Sequence, residues 1–296
     1  MPNKENHSPY SLGSSEEEQS RLMLQSQLYG DKKYLTFNKS DTVCEVGCGS
    51  GANLEFALTL TQGEYIGIDV QQAQIEAAQD RAITLGLKNT KFICADAANI
   101  PLASDSVDAT FCRLVLIHLP SLSQPSPVCL SVFHEMYRIT RAGGKLMVIE
   151  PDISSYESSK PSLNKCFQAR VKSVYTPSKG TMNISLLLPL LFEAFGLGAI
   201  KSVEHIIDVS GKNPKKLSDF YYNWLVMNKS MKCELIAEGH LAEQDYQEAE
   251  REVLEINETD FLRQKLWYFE GVKEKSGHLS FDELVNCSDW IQEKLA

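Results

Sequence analysis

A glycine-rich turn after a short apolar run constrains this sequence more than any other feature. Residues 42–46 (TVCEV) are typical of a buried strand, residues 47–51 (GCGSG) form the turn, and residues 52–61 have the pattern of a helix. Because glycine has no Cβ, a strand ending in such a turn can bring bare backbone N–H groups and a helix N-terminus against a ligand. The turn therefore predicts a binding site for a small, nucleotide-like molecule.

Strand-like and helix-like segments alternate from this turn onward. Alternation of this kind is typical of βαβ units, which build an α/β fold with a parallel sheet covered by helices on both faces. Ligands of such sheets lie beyond the carboxyl ends of the strands. We expect strands at 42–46, 65–69, 90–95, 107–112 and 145–150, and helices at 52–61, 71–85 (closed by Gly86) and 127–140.

The rest of the chain divides around this core. Residues 1–40 are expected to form an arm and a cap helix, which either simply covers the core or contacts the ligand. The core comprises residues 41–211 with 262–296, and residues 212–261 form a helical insertion that is either a lid or a dimer element. The cap helix is expected to begin after an N-cap at Ser14 or Ser15 and to end near residue 29. Further helices are expected within 153–182, at 186–195 and, two or three in number, in 214–260. Strands are expected at 203–209 and 266–273.

Composition and charge narrow the class of protein. The 296 residues are 43% hydrophobic and 23% charged, which is ordinary for a globular protein. The formal net charge of −10 argues against a nucleic-acid partner, because binding to phosphate backbones needs clustered basic residues. The first residues lack the apolar segment of a secretory signal, and no run of about 18 apolar residues predicts a membrane span. We therefore expect a cytoplasmic protein.

The eight cysteines are scattered, and no two of them form a C-x-x-C pair. Cys44 and Cys48 flank the glycine turn, but a zinc site of the usual spacing needs a second pair downstream. We expect reduced thiols and no bound metal.

Acidic residues around the turn indicate which ligand it binds. The turn alone also fits a relaxed dinucleotide fingerprint, and Asp69, 22 positions after Gly47, suits a ribose diol in either case. Glu45 precedes the turn, where its charge repels a pyrophosphate and attracts an ammonium group. Asp96, after the next strand, can accept a hydrogen bond from an exocyclic amine. Three carboxylates suit a cofactor with an ammonium, a ribose diol, an adenine amine and a sulfonium.

A series of short motifs carries a resemblance to a known family. Taken together, they resemble the class I S-adenosylmethionine-dependent methyltransferases, and more narrowly the small-molecule branch related to the quinone-ring methyltransferases. The resemblance covers about residues 40–152 and implies a Rossmann-like sheet of seven strands in the order 3-2-1-4-5-7-6, with strand 7 antiparallel. The motifs are EVGCGSG at 45–51, GIDV at 67–70, ADA at 95–97, IPL at 100–102, SVD at 106–108, RI at 138–139 and GGKL at 143–146.

The resemblance implies roles at the methionyl end of S-adenosyl-L-methionine. Backbone groups of Gly47, Cys48 and Gly49 would line the methionine and ribose portion. Glu45 would lie close to the amino group, directly or through water. Arg113, just past the fourth strand, would meet the carboxylate.

The resemblance also implies contacts to the adenosine. Asp69 would take the ribose hydroxyls, and Val70 would pack on the adenine. Asp96 and the N–H of Ala97 would read the adenine edge. Gln74 either approaches the ribose or adenine rim or is simply a solvated helix residue.

Methyl transfer is an in-line attack on a carbon that the sulfonium has already activated, so the protein mainly positions and desolvates the reactants. A base is needed only when the nucleophile must lose a proton, as an alcohol or phenol does. Two strand ends supply our candidates for that base, His118 after the fourth strand and Glu150 or Asp152 at the end of the fifth. Each can instead have a structural or substrate-binding role.

The predicted function is transfer of a methyl group to an oxygen or carbon nucleophile of a small or lipid-like molecule. The N-P-P-Y signature of amino-group methylation is absent after the fourth strand, where residues 112–115 read CRLV. The alternatives are a methyltransferase acting on protein or nucleic acid, a protein that binds S-adenosylmethionine without catalysis, and a NAD-type oxidoreductase. The expected partner is a small-molecule methyl acceptor, with a homodimer as the expected assembly if the insertion is a dimer element.

Overall fold

The computed structural model describes residues 16–119, 128–175 and 184–277, together with residues 279, 283, 286–288, 290, 291 and 294. The N-terminal arm and the serine expected to cap the first helix lie outside the described residues.

One mixed sheet forms the centre of the described structure. Its strands are β1 (Thr42–Val46), β2 (Glu64–Asp69), β3 (Thr90–Cys94), β4 (Val107–Arg113), β5 (Thr140–Ser158), β6 (Gly198–Ser210) and β7 (Phe261–Val272). Within the described residues these seven strands have the order β3-β2-β1-β4-β5-β7-β6. β1 to β5 are parallel, and β7 is antiparallel to both β5 and β6. The predicted α/β fold, strand order and antiparallel seventh strand are therefore confirmed.

The central strands are apolar because helices cover both faces of the sheet. Val43, Cys44 and Val46 of β1 are fully buried, as is every residue of the run 146–149 in β5. Strands buried on both faces have continuous apolar runs and lack the alternation of half-exposed strands. The run in β1 is interrupted only by Glu45, which lies at the end of the strand next to the glycine turn.

The helices on these faces match most of the predicted segments. They are α1 (Glu16–Tyr29), α2 (Glu55–Thr59), α3 (Gln72–Thr84), α4 (Val128–Ile139), α5 (Pro161–Val174), α6 (Ile184–Ala194), α7 (Pro214–Lys229), α8 (Lys232–Ala237) and α9 (Glu243–Glu252), with 3₁₀ turns at Asp31–Tyr34 and Leu116–His118. α3 ends as predicted, because Gly86 has a φ of +68° and its N–H donates to the Ile83 carbonyl. None of the helices in the described part of the chain is long and apolar enough to cross a membrane.

Several elements differ in length from the prediction, and β6 and β7 both begin five residues before the predicted 203 and 266. α2 has only five residues, because the chain from Gly51, with a φ of +80°, continues in turns before the helix begins. β5 has nineteen residues, well beyond the predicted 145–150. It extends because β7 keeps pairing with it, after a register shift, as far as Ser158 opposite Leu262.

The cap helix and the insertion lie together over one edge of the sheet. Arg21 of α1 donates from Nη1 to Oδ1 of Asn223 in α7 at 3.1 Å, and the rings of Tyr29 and Phe220 stack with centroids 5.9 Å apart. α5, α8 and α9 share a second small core around Cys166, which includes Leu235 and Tyr246. Residues of both segments line one cavity with residues that follow β1, β2 and β3, so both cover the carboxyl ends of the strands.

The glycine turn after β1 is bound tightly to its neighbours. The N–H groups of Gly47 and Cys48 both donate to the Ile68 carbonyl, at 2.8 and 2.9 Å. Gly47 has a φ of +74°, and a Cβ on it would overlap Cγ2 of Val115 and lie 3.2 Å from Cγ1. The turn thus needs glycine at 47 for both its backbone angle and its close approach to the chain after β4.

We expect Gly47→Ala to destabilise the protein by about 2–4 kcal/mol. The alanine would have to adopt a left-handed backbone conformation, and its Cβ would overlap Val115. The measurement is the free energy of unfolding in urea. Gly143→Ala is the matched control, since Gly143 has a φ of +78° but open space around its Cα. It should cost only about 1–2 kcal/mol. Equal losses in the two variants would show that Val115 does not restrict the turn.

Candidate active site

A cavity of about 760 Å³ lies at the carboxyl ends of the parallel strands, between the sheet and helices α1, α5 and α7. This volume is typical of ligand pockets. Its acidic end, at β1, β2 and β3, contains Glu45, Asp69 and Asp96. Its apolar end, beside β5 and β7, is lined by Ile153, Val174, Trp224, Met227 and Met231. Gln264 of β7 and the buried Arg170, whose Nη1 donates to the Met227 carbonyl at 3.1 Å, are polar residues of this wall. The strand order itself separates the two ends.

Glu45 is a buried carboxylate at the acidic end. It is 1% exposed and accepts hydrogen bonds from Nδ2 of Asn53, at 2.5 Å, and from the hydroxyl of Tyr65. Burial raises the pKa of Glu45 to about 7, although both hydrogen bonds oppose the shift. A positive group placed beside Glu45 would favour its ionised form.

Asp69 is held at the end of β2 by two backbone hydrogen bonds. The N–H of Gly49 donates to Oδ2 and that of Gln71 donates to Oδ1, both at 2.9 Å. Burial raises the pKa of Asp69 above its usual value, and these hydrogen bonds oppose it. Each oxygen keeps a further lone pair, so the fixed carboxylate can still accept from ligand hydroxyls.

The N–H groups of Gly47, Cys48 and Gly49 are not bare, and for these three residues the prediction is wrong. Those of Gly47 and Cys48 donate to the end of β2, and that of Gly49 donates to Asp69. The turn still lines the cavity with residues 47–50. The glycines of the turn therefore shape and fix the acidic end, while the carboxylates supply the hydrogen-bond acceptors for a ligand.

The far side of the acidic end combines polar and apolar surfaces. Asp96 is exposed and accepts at Oδ1 from the N–H of Ala98 at 2.8 Å, and Ala97 lines the cavity next to it. Val70 leaves 54% of its surface exposed there, so a flat apolar ring can pack on it. Gln74 is 2% exposed and lies in the cavity wall, so the structure does not place it on a solvated face.

Arg113 lines the cavity, but its guanidinium is already paired. Its Nε and Nη2 donate to the two carboxylate oxygens of Asp31, at 2.6 and 2.9 Å. Asp31 is fully buried in the link between α1 and β1. Charge-assisted pairing of this bidentate kind is strong, so it fixes the cap segment to the end of β4. The sequence analysis missed Asp31, since no motif surrounds it.

His118 reaches the cavity from the 3₁₀ turn after β4. Burial, and then the positive charges of Arg170 and Arg21, lower the pKa of His118 to about 3. The imidazole is therefore neutral near pH 7. It can orient a hydroxyl by hydrogen bonding, but it is a weak base.

Glu150 lies fully buried beneath this turn and fixes it. Its Oε1 accepts from the N–H groups of Val115 and Leu116, at 2.9 and 2.7 Å. Burial raises the pKa of Glu150 to about 8, against those hydrogen bonds. Glu150 therefore supports the segment that carries His118.

Asp152 does not reach the cavity, which corrects its assignment as a candidate base. Successive side chains of a strand point to opposite faces, and here Pro151 and Ile153 line the cavity. The Asp152 carboxylate instead accepts from the N–H and hydroxyl of Ser154, at 3.0 and 2.6 Å.

Several lining residues come from elements without a motif. α1 contributes Arg21, Leu22, Gln25 and Tyr29, so the cap helix does line the cavity, and α5 contributes Arg170. Of these elements, only the cap helix was a predicted candidate for contact with the ligand, because its sequence has polar residues among the apolar ones. The contributions of α5 and β7 depend on tertiary packing.

The sequence is similar to those of known methyltransferases. A family described as "Methyltransferase domain" matches residues 37–196, which is more than half of the chain. The chain is 33% identical over 125 residues to methyltransferase GfsG of Streptomyces halstedii, covering 42% of this chain and 41% of that one. It is 29% identical over 137 residues to the malonyl-[acyl-carrier protein] O-methyltransferase of Marinomonas sp. (strain MWYL1), covering 45% of each. The chain thus spans less than half the length of these curated relatives.

A solved structure shows the same fold over most of the chain. It is that of a proposed methyltransferase from Bacillus halodurans C-125, with a TM-score of 0.52 and 15% identity, covering 84% of this chain and 100% of that one. The region matched by the family contains the glycine turn, the three carboxylates and His118. The chain therefore belongs to the methyltransferase domain family, which confirms the predicted membership in the class I S-adenosylmethionine-dependent methyltransferases.

Proposed function

We propose that this protein transfers a methyl group from S-adenosylmethionine to an oxygen or carbon nucleophile of a small or lipid-like molecule. The observation that carries the proposal is one cavity with carboxylates at one end and an apolar wall at the other. A cationic, hydroxyl-rich cofactor suits the first end, and an apolar acceptor suits the second.

The acidic end has groups that fit the cofactor. Glu45 suits the amino group, Asp69 the ribose hydroxyls, and Asp96 the adenine amine beside Val70. Among the described residues, Oε1 of Gln74 and Oγ of Ser50 are buried without a hydrogen-bond partner, and both side chains belong to the cavity wall. Unpaired buried polar atoms are costly, so a polar ligand here would stabilise the site. Arg113, paired with Asp31, contributes charge and position to the methionyl end.

When bound, S-adenosylmethionine supplies a methyl group already activated by its sulfonium. The protein's residues bind, orient and desolvate. Ile153, Trp224 and Met227 exclude water from the apolar end, which favours a reaction that disperses charge. His118, neutral at pH 7, accepts a hydrogen bond from a hydroxyl of the substrate, orients it, and relays to solvent the proton that the oxygen loses on transfer.

We further propose that the insertion, residues 212–261, acts as a lid over the core and the cap segment. Trp224, Met227 and Met231 belong to it and line the cavity. A dimer role would not by itself require cavity contacts. All eight cysteines are free thiols, and we propose a reducing, cytoplasmic location on that basis.

Asp69→Ala should weaken binding of S-adenosylhomocysteine about tenfold or more, because hydrogen bonds to a charged partner contribute about 1.5–3 kcal/mol each. The measurement is calorimetric titration. Asp80→Ala, an exposed aspartate of α3 outside the cavity, is the control and should bind like the wild type. NAD serves as the competing ligand. Tight NAD binding, or no binding of S-adenosylhomocysteine at millimolar concentration, would refute the assigned cofactor.

Affinity for S-adenosylhomocysteine should rise about tenfold between pH 6 and pH 8, because each unit below the pKa lowers the ionised fraction tenfold. Glu45, with a pKa of about 7, must lose its proton to pair with the ligand's ammonium group. His118, with a pKa of about 3, does not titrate in this range. Glu150, with a pKa of about 8, does, but it lies outside the cavity wall and is unchanged in the control variant. The measurement is titration at several pH values in buffers of different ionisation enthalpy, which reports proton release.

Glu45→Gln is the control for this pH dependence. It should bind more weakly at pH 8 and show a flat profile. A wild-type profile that is already flat, without proton release, would contradict the pairing of Glu45 with the amino group.

Labelled methyl groups should appear in small molecules when the protein is incubated with methyl-labelled S-adenosylmethionine and a cell extract. The extract is separated into small-molecule, protein and nucleic-acid fractions, and Asp69→Ala provides the inactive control. Label found only in protein or nucleic acid would contradict a small-molecule acceptor and indicate a macromolecular one. Cofactor binding without any transfer would indicate a non-catalytic protein.

A further inference from the structure

The apolar end contains two buried polar atoms that the fold does not use. These are Nε1 of Trp224 and Oε1 of Gln264, and neither has a hydrogen-bond partner in the part of the chain that the structure describes. The side chains are 3% and 1% exposed, and both residues line the cavity. Most buried polar groups in proteins are paired, so such exceptions at a binding site require an explanation.

Neighbouring polar side chains of α7 do have structural partners. Tyr221 donates from its hydroxyl to the Phe261 carbonyl at 3.0 Å, which ties α7 to β7. Asn223 accepts at Oδ1 from Arg21, which ties α7 to α1. Trp224 and Gln264 form no such link through these two atoms. Their polar groups therefore suit a ligand better than the fold.

The chemistry of the two side chains defines the ligand group. The indole Nε1–H of Trp224 can only donate, whereas the Gln264 amide can accept through Oε1 and donate through Nε2. Rotation of the terminal amide exchanges those two atoms, so Gln264 can present either one to the cavity. A hydroxyl both donates and accepts, and it can satisfy either side chain. In the amide orientation that the structure has, an ether or ketone only accepts and leaves Oε1 of Gln264 unpaired. An ammonium only donates and leaves Nε1 of Trp224 unpaired, and a hydrocarbon pairs with neither.

We propose that Trp224 and Gln264 are specificity-determining residues that select a methyl acceptor bearing a hydroxyl group, as an alcohol or phenol does. The hydroxyl oxygen accepts from Trp224 Nε1, or the hydroxyl hydrogen is donated to Gln264 Oε1, while the rest of the acceptor lies against Ile153 and Met227. The identity of the ligand as a methyl acceptor rests on the proposed function. The preference for a hydroxyl over an apolar group of the same size does not.

Discrimination should be substantial, because leaving a buried polar group unpaired costs about 1–3 kcal/mol, or about 5- to 150-fold in affinity. A site that hydrogen-bonds a hydroxyl rejects the analogue that lacks it far more strongly than an apolar pocket rejects an extra methylene. Phenol and toluene form a suitable probe pair, since they differ by a hydroxyl in place of a methyl group.

The experiment titrates this 296-residue chain with phenol and with toluene, with and without S-adenosylhomocysteine. It follows the indole N–H signals of the three tryptophans by ¹⁵N–¹H NMR. Trp224→Phe identifies the Trp224 signal. We expect phenol to move that signal downfield, as a new hydrogen bond does, and toluene to change it only through the ring current of its aromatic ring. Gln264→Leu should weaken phenol binding at least fivefold and leave toluene binding unchanged. Met227→Leu, an apolar change in the same wall, should affect both probes equally.

A second measurement separates recognition from structure. Without ligand, Gln264→Leu should be at least as stable to urea as the wild type, since it removes a buried polar group that lacks a partner. A clear loss of stability would assign Gln264 a structural partner and overturn the proposal. Equal binding of phenol and toluene would also overturn it. Failure of S-adenosylhomocysteine to bind would refute the proposed function alone, because the phenol titration is also done without it.

Discussion

The acidic end of the cavity depends on how the glycine turn is attached to β2. Gly47 and Cys48 share the Ile68 carbonyl, and the N–H of Gly49 holds the Asp69 carboxylate one residue further on. These contacts fix the ends of two neighbouring parallel strands in one arrangement. The turn accordingly uses its N–H groups to build the site, and the carboxylates remain as the groups that face a ligand.

Burial of charged groups gives the site its electrostatic character. Glu45 is at the border of ionisation because its surroundings are nearly closed to water, while Arg113 stays fixed by the fully buried Asp31. His118 is kept neutral in the cavity wall. A reaction that starts from a cationic cofactor and ends with a neutral one benefits from acceptors that are positioned before the cofactor arrives.

The sequence predicted the parts of the molecule that depend on local pattern. Apolar runs and the turn predicted a parallel core, and the resemblance to the methyltransferases supplied the strand order. The rule that ligands lie at carboxyl strand ends brought Glu45, Asp69 and Asp96 together. The same reasoning failed for Asp152, because β5 continues past Glu150 and strand alternation turns that carboxylate away. The pairing of Arg113 with Asp31 spans 82 positions of sequence, and no local pattern encodes such a contact. Gln264 and Arg170 reach the cavity only through tertiary packing of β7 and α5.

The central claim is that S-adenosylmethionine binds with its amino-acid portion beside Glu45 and its adenosine beside Asp69 and Asp96. A crystal structure of the complex with S-adenosylhomocysteine measures this most directly. The account predicts both ribose hydroxyls within hydrogen-bond distance of the Asp69 carboxylate, the adenine against Val70, and the sulfur facing the apolar end. A ligand with its adenine between Trp224 and Ile153, or bound outside the cavity, would contradict it.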